Sequence, residues 1–141
     1  SYYFNDGIAY PAILNGNKLK SNFSLGSKKE LIKFKSIKVR HGKINSIGYI
    51  FGNTAYISDC NKLSNSNLNK LKNLKYFVID CLRYDKHPSH YNLEEVVGLV
   101  KILKPKKTIL TNLHTDLDYK SIIKILPKNI VPGYDGMVLN L

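Results

Sequence analysis

Hydrophobic residues in the first half of the chain fall in short runs separated by polar turns, a pattern typical of β-strands. Four such runs predict strands over residues 8–14, 31–39, 46–51 and 54–58. Only Gly52 and Asn53 lie between the last two runs, which is the spacing of a tight β-hairpin. The first half is therefore predicted to be a set of strands joined by polar turns.

Helical spacing begins after Asn61. Leu68 and Leu71 predict a short helix that Ser64 caps. Hydrophobic residues recur every three or four positions over 93–103, after a capping-box pair of Asn92 and Glu95 and before a proline at 105. A third stripe covers 119–126, with Asp118 as its cap and a proline at 127. The second half therefore predicts three amphipathic helices with defined ends.

Short apolar runs between these helices predict strands at residues 76–79 and 108–110. Runs without polar alternation are typical of strands covered on both faces. Residues 137–139, after the turn at Asp135-Gly136, predict a last strand. Strands first, followed by alternating strands and helices, indicate a layered α/β (α+β) fold with a mixed sheet. No internal repeat or low-complexity linker interrupts this order.

Composition and size are those of one globular unit. The chain has 141 residues, of which 43% are hydrophobic, and no apolar run approaches the roughly 20 residues that cross a bilayer. We therefore expect a cytoplasmic protein without a membrane partner. Cys60 and Cys81 each follow an aspartate at a strand end, which favours buried reduced thiols over a disulfide framework. A metal-ligating role for Cys60 is the weaker alternative.

The formal net charge of +12 favours anionic partners. Clustered lysine and arginine would indicate a nucleic-acid surface, because they displace counterions from phosphates. Here the lysines are spread through the whole chain and only Arg40 and Arg83 are arginines. The charge therefore supports nucleic-acid binding as an alternative function and does not define a binding stripe.

All four histidines stand in loops next to predicted strand ends. His41 precedes a glycine, His87 and His90 lie in a long polar loop, and His114 follows a buried strand. Histidines and carboxylates gathered at one sheet edge are typical of metal-dependent hydrolytic sites. His90 directly precedes a helix start, which suits a general acid or a phosphate contact. For His87 an exposed loop position is equally consistent with the sequence.

Two aspartates are candidates for the carboxylate of the predicted site. Asp59 ends the predicted hairpin, where its carboxylate could bind cations or simply form an Asx turn. Asp118 fits a helix cap better than a metal ligand. Asp59 is therefore the carboxylate assigned to the predicted site.

Seven short motifs follow one another in a fixed order along the chain. They are His41-Gly42, Gly48-Tyr49, Ser58-Asp59-Cys60, His87-Pro88-Ser89-His90, Leu110-Thr111-Asn112-Leu113-His114, Asp116-Leu117-Asp118 and Tyr134-Asp135-Gly136-Met137. This ordered series resembles the C-terminal half of the metallo-β-lactamase-fold hydrolases. The most similar branch is that of the phosphodiesterases that open phosphoribosyl 1,2-cyclic phosphate.

The resemblance implies a four-layer αββα sandwich that holds two divalent metal ions, zinc or manganese. This chain would form its C-terminal half, a mixed sheet with helices on one face. The resemblance also implies that His41 is a metal ligand, that Asp59 is the catalytic carboxylate bridging both ions, and that His90 is the acid. A gap-free match places Asn112 at the family's closing ligand. We assign that role to His114, because imidazole binds these metals better than a neutral amide does.

The chain lacks the His-x-His-x-Asp-His motif that supplies the other ligands in this family. Residues 1–141 are therefore expected to be the C-terminal portion of a single domain whose N-terminal half is absent. The leading hypothesis is a metal-dependent phosphodiesterase that acts on a cyclic or small phosphodiester, incomplete as this chain alone. Its expected partners are the substrate, the missing half of the domain and, as a further option, a second copy in a homodimer.

Two hypotheses from other classes stay open. One is a basic α/β module that binds nucleic acid, or a nuclease of the same superfamily. The other is a structural or partner-binding remnant that has lost catalysis. A nucleic-acid surface would interleave basic residues with exposed aromatic ones on one face. The pairs Lys28-Lys29 and Lys106-Lys107 do not lie near the histidine loops in the sequence.

Overall fold

The computed structural model describes residue 11 and residues 13–141. These residues form one seven-stranded sheet whose spatial order equals the order along the chain. The first four strands are antiparallel neighbours, whereas the fourth to the seventh run parallel. The strands are β1 (Asn22–Ser27), β2 (Glu30–His41), β3 (Ile44–Phe51), β4 (Thr54–Ile57), β5 (Tyr76–Asp80), β6 (Lys107–Thr111) and β7 (Ile130–Pro132).

Each parallel crossover contains one helix, and the helices begin at the residues that the sequence predicts. They are α1 (Asn65–Lys70), α2 (Leu93–Leu103) and α3 (Tyr119–Ile125). The side chain of Ser64 caps α1, and that of Asp118 caps α3. At α2 the capping box is complete, because Asn92 accepts from the Glu95 amide and Glu95 accepts from the Asn92 amide. Local capping chemistry therefore sets the helix starts.

The helices cover one face of the sheet. Strand residues that point to this face, among them Ile37, Ala55 and Phe77, are buried in a core that the helices complete with residues such as Val96 and Ile122. The predicted mixed sheet with helices on one face is thus confirmed.

The opposite face, called the open face below, is apolar as well. Aromatic side chains of β2, β3 and β4 line it, and Tyr56 is still 40% exposed. A cavity of about 480 Å³ lies between this face and the C-terminal stretch 137–141. Its lining residues are Phe34, Tyr49, Phe51, Thr54, Tyr56, Val78, Met137, Leu139 and Leu141.

The predicted strands differ from the structure at four places. Residues 137–139 are not a strand, because after the turn at Gly136 they lie against the open face and pair with none of the described strands. The sequence analysis missed β1, whose pattern is diluted by Ser24 and Gly26, and β7, which is only three residues long. In the predicted strand 8–14, residues 8–10 and 12 lie outside the described residues, and the other three form no strand.

Strand direction places the carboxyl ends of five strands at one edge of the sheet. β2 and β4 are both antiparallel to β3 and therefore run in the same direction, which β5, β6 and β7 share. Loops at the carboxyl ends of such strands are where α/β proteins place ligand sites. All four predicted site residues lie at or just after one of these ends or in the loop that follows it.

Candidate metal centre

His41 is the last residue of β2, and two contacts hold the turn that follows it. Gly42 adopts a φ of +59°, a left-handed conformation that favours glycine. Its amide donates to the Oδ1 atom of Asn61 at 3.0 Å. The Nδ2 atom of Asn61 in turn donates to the carbonyl of Pro88 at 2.8 Å. One carboxamide thus joins the His41 turn to the loop that carries His90.

Asp59 lies two residues after the end of β4 and is partly buried. Ser58 donates its hydroxyl to the Oδ2 atom of Asp59 at 2.8 Å. This bond holds the carboxylate at the same edge as His41.

His90 lies between two partners. Its Nδ1 atom is 2.6 Å from the Oδ2 atom of Asp80, which is fully buried. Its Nε2 atom is 3.2 Å from the Nε2 atom of His41. The His87 ring lies 5.1 Å from the His90 ring between centroids, and partial burial together with the charge of Arg83 lowers the pKa of His87. Three of the four histidines therefore form one cluster.

His41, Asp59 and His90 form a group that could hold a metal ion, since one ligand atom of each lies within 4.8 Å of the others. Imidazole and carboxylate are donors that zinc and manganese both accept. Two nitrogen ligands at about 2.05 Å from one tetrahedral ion are roughly 3.3 Å apart. The 3.2 Å between the two Nε2 atoms agrees with that spacing, so His90 is a candidate ligand by geometry as well as the acid that the resemblance implies. The residues present therefore fit a divalent ion.

Asp80 is the residue of this site that the sequence analysis did not single out. The Cys60 amide donates to its Oδ2 atom at 2.9 Å, and Asn112 donates to its Oδ1 atom at 3.1 Å. Burial raises the pKa of Asp80, and the hydrogen bonds from Cys60, His90 and Asn112 act in the opposite direction. The available signal was a carboxylate at the end of an apolar buried strand, where it must find partners.

The structure does not bring His114 into the group. The His114 ring lies 3.0 Å from the Asp116 carboxylate, and both side chains are about half exposed, 50% and 51%. Asn112, which has a φ of +59°, holds the place beside Asp80 and His90 instead. The role of His114 as a ligand therefore stays a prediction, without support from this geometry.

Comparison with known proteins agrees with the fold. Residues 5–112 match the family model described as beta-lactamase superfamily domain. A diphosphatase of the PhnP family superposes with a TM-score of 0.81 and is 28% identical, over 89% of this chain and 48% of its own. YhfI from Bacillus subtilis, a metallo-beta-lactamase fold protein, gives 0.63 at 15% identity over 88% of this chain and 55% of its own, and so shares the fold alone.

One protein that is similar in sequence is named for a different activity. An octanoyltransferase from Porphyromonas gingivalis is 30% identical over 104 residues, which are 72% of this chain and 21% of that protein. The chain thus spans about half the length of the PhnP-family diphosphatase and about a fifth of the octanoyltransferase. The family match, the fold and the likeness to the diphosphatase agree: the chain belongs to the beta-lactamase superfamily and has the metallo-β-lactamase fold, with the PhnP branch supported.

Proposed function

We propose that this chain carries part of the active site of a metal-dependent hydrolase that cleaves small phosphodiesters. The observation that carries the proposal is the group of His41, Asp59 and His90 at one sheet edge, with Asp80 behind His90. A ligand pair beside a carboxylate-paired imidazole is an arrangement suited to hydrolysis.

His41 and Asp59 are the proposed metal ligands, and two divalent ions, zinc or manganese, are the proposed cofactors. When bound, they would supply positive charge that polarises the phosphoryl group. Ser58 donates to the Oδ2 atom of Asp59 and so orients the carboxylate that would hold the metal.

His90 is the proposed catalytic acid and acts through its Nε2 atom. The Asp80 carboxylate at Nδ1 stabilises the positive charge that the ring carries before it gives up a proton. The Nε2 atom faces His41 and thus the place where the reaction would occur.

The proposed substrate class is based on the net charge of the chain and on its similarity to a diphosphatase. The net charge of +12 favours an anionic substrate. The structural neighbour that is 28% identical to this chain over the matched residues is a diphosphatase of the PhnP family. Esters of phosphate fit both observations.

We further propose that another segment completes the site and covers the open face. A single layer of sheet with an apolar outer face has Tyr56 at 40% exposure and Ile47 at 38%. The chain also spans 48% of the diphosphatase that it resembles in structure. A second sheet packed on this face would bury those side chains and supply the remaining ligands.

The experiment compares the 141-residue chain with the same chain extended by the coding sequence upstream of Ser1. Hydrolysis of bis-p-nitrophenyl phosphate is measured with zinc or manganese, together with bound metal. We expect little activity from the chain alone, because affinity and activity depend on the number of ligands, and clear activity from the extended protein. Full activity of the chain alone would contradict the need for a second segment.

Two variants of the extended protein test the roles. His41→Ala should lose bound metal. His90→Ala should keep its metal and lose about 10²- to 10⁴-fold in kcat, as expected for a positioned acid. Loss of metal in His90→Ala would make His90 a ligand instead, and unchanged kinetics would remove it from the site. A metal-loaded extended protein that cleaves no phosphodiester would refute the proposed function.

A further inference from the structure

We propose that Arg83 is the anion-binding residue of this site and that its guanidinium holds a phosphate oxygen of the substrate beside the histidine cluster. The proposal rests on the proposed function for the identity of the substrate. The binding of a phosphate anion at Arg83 can nevertheless be measured without any reaction.

Backbone hydrogen bonds fix Arg83 at the base of the loop that carries two of the clustered histidines. The Leu82 amide donates to the Tyr91 carbonyl at 3.0 Å, and the Leu93 amide donates to the Arg83 carbonyl at 3.1 Å. These two bonds join the start and the end of the loop 84–90. Both bonds use main-chain atoms only, so the side chain of Arg83 is not needed to close the loop.

The guanidinium of Arg83 has no opposite charge beside it in the part of the chain that the structure describes. The ion pairs found there join His90 to Asp80 and His114 to Asp116. The Nε atom of Arg83 is buried, and none of the described residues accepts a hydrogen bond from it. A charged donor that is shielded from water and lacks an acceptor is unfavourable. A bound anion would supply both the acceptor and the opposite charge.

The charge of Arg83 lies close to the candidate metal centre. Partial burial and then the charge of Arg83 lower the pKa of His87, which shows that the guanidinium is near this ring. The His87 ring in turn lies 5.1 Å from the His90 ring between centroids. A guanidinium presents its N–H donors in one plane, an arrangement that matches two oxygens of a phosphate group. Arg83 would therefore orient the phosphodiester next to the proposed acid.

The test depends on the two arginines of the chain, Arg83 and Arg40. Arg40 is exposed on β2, directly before His41. Because side chains alternate along a strand, Arg40 points to the face opposite to that of His41. Its Nε–H group is therefore an internal control for phosphate binding away from the site.

Inorganic phosphate is added to the ¹⁵N-labelled, metal-free chain at constant ionic strength, and the ¹H–¹⁵N signals of both Nε–H groups are followed. We expect the Arg83 signal to shift until it saturates and the Arg40 signal to stay in place. An Arg83 signal that does not move would overturn the proposal. Equal shifts of both signals would also overturn it, because they would mean that phosphate associates with the net charge of +12 in general. This titration needs no substitution, so it decides the matter even where a variant fails to fold.

Kinetics of the extended protein test the same role in the reaction. Arg83→Gln should lower kcat/KM for bis-p-nitrophenyl phosphate by about 10- to 100-fold, as expected for the loss of hydrogen bonds to a charged group, and should keep its metal. Arg83→Lys should recover part of this loss, because lysine keeps the charge but not the planar set of donors. The matched control Arg40→Gln should leave kcat/KM near the wild-type value. Equal losses in Arg83→Gln and Arg40→Gln, or none in Arg83→Gln, would refute the role of Arg83.

The two proposals fail in different ways. A saturating Arg83 shift in a protein that cleaves no phosphodiester when loaded with metal would refute the proposed function and keep the anion site. Phosphodiester cleavage without any Arg83 shift would refute the anion site alone.

Discussion

Replacement of Gly42 by alanine tests how closely the turn after β2 is fitted to the loop that carries His90. Gly42 has a φ of +59°, and a Cβ atom built on it would lie 3.0 Å from the Cβ atom of Ser89. Gly52 offers a matched control, because its φ is +51° and an added Cβ would meet nothing within 4 Å.

Both substitutions place a Cβ atom on a residue in the left-handed conformation, so both carry the same backbone contribution to the free energy of unfolding. A left-handed conformation costs a residue with a Cβ atom about 1–2 kcal/mol, and the loss of chain entropy in the unfolded state returns roughly 0.4–1 kcal/mol. We therefore expect Gly52→Ala to lower the free energy of unfolding by about 1 kcal/mol, or roughly 3–4 °C in Tm for a chain of this length. Gly42→Ala should lower the free energy of unfolding further, because Ser89 must also move away from the added Cβ atom.

The second readout is the distance between the two rings of the site. Ser89 is next to His90, so its displacement should separate the His90 and His41 rings, whose centroids are 4.6 Å apart. Urea unfolding gives the stability, and the nuclear Overhauser effect between the two rings gives the contact. We expect the ring contact to be lost in Gly42→Ala and kept in Gly52→Ala. Equal stability losses with an intact ring contact in both variants would refute this reasoning.

Two further predictions concern the thiols and His114. Burial raises the pKa of Cys60 and of Cys81 to about 12, so both thiols should react slowly with Ellman's reagent at pH 8 in the native chain and rapidly in guanidinium. Because unfolding returns these pKa values to about 9, stability should also fall as the pH rises from about 9 toward 12, and fast native labelling would contradict the burial. His114→Ala should leave bound zinc in the extended protein unchanged, since the structure keeps His114 outside the group. Zinc loss in that variant would instead support the ligand role that the sequence analysis assigns to His114.

The helices were predictable because their signals are local. Asn92 and Glu95 are three residues apart, and the cap and the apolar stripe of α2 lie within one segment. β1 was missed for the opposite reason. Its polar and glycine positions carry little pattern, and its place in the sheet comes from pairing with β2.

The site was predicted in part, and the limit is again sequence distance. His41, Asp59 and His90 each stand next to a strand end or a helix start, which the chain itself reveals. The role of Asp80 depends on donors at Cys60, His90 and Asn112, which are 20, 10 and 32 residues away. No local pattern encodes such a set, because tertiary structure alone brings it together.

The order of the strands has a consequence for how the chain is made. Each strand pairs only with the strands before and after it in sequence, so no described strand has to wait for a distant partner still to be synthesised. Pairings that close short loops carry a low entropic cost and form early. The sheet can thus grow from one end as the ribosome releases it. The histidine and aspartate group is complete once residue 90 has emerged, well before β6 and β7 are added.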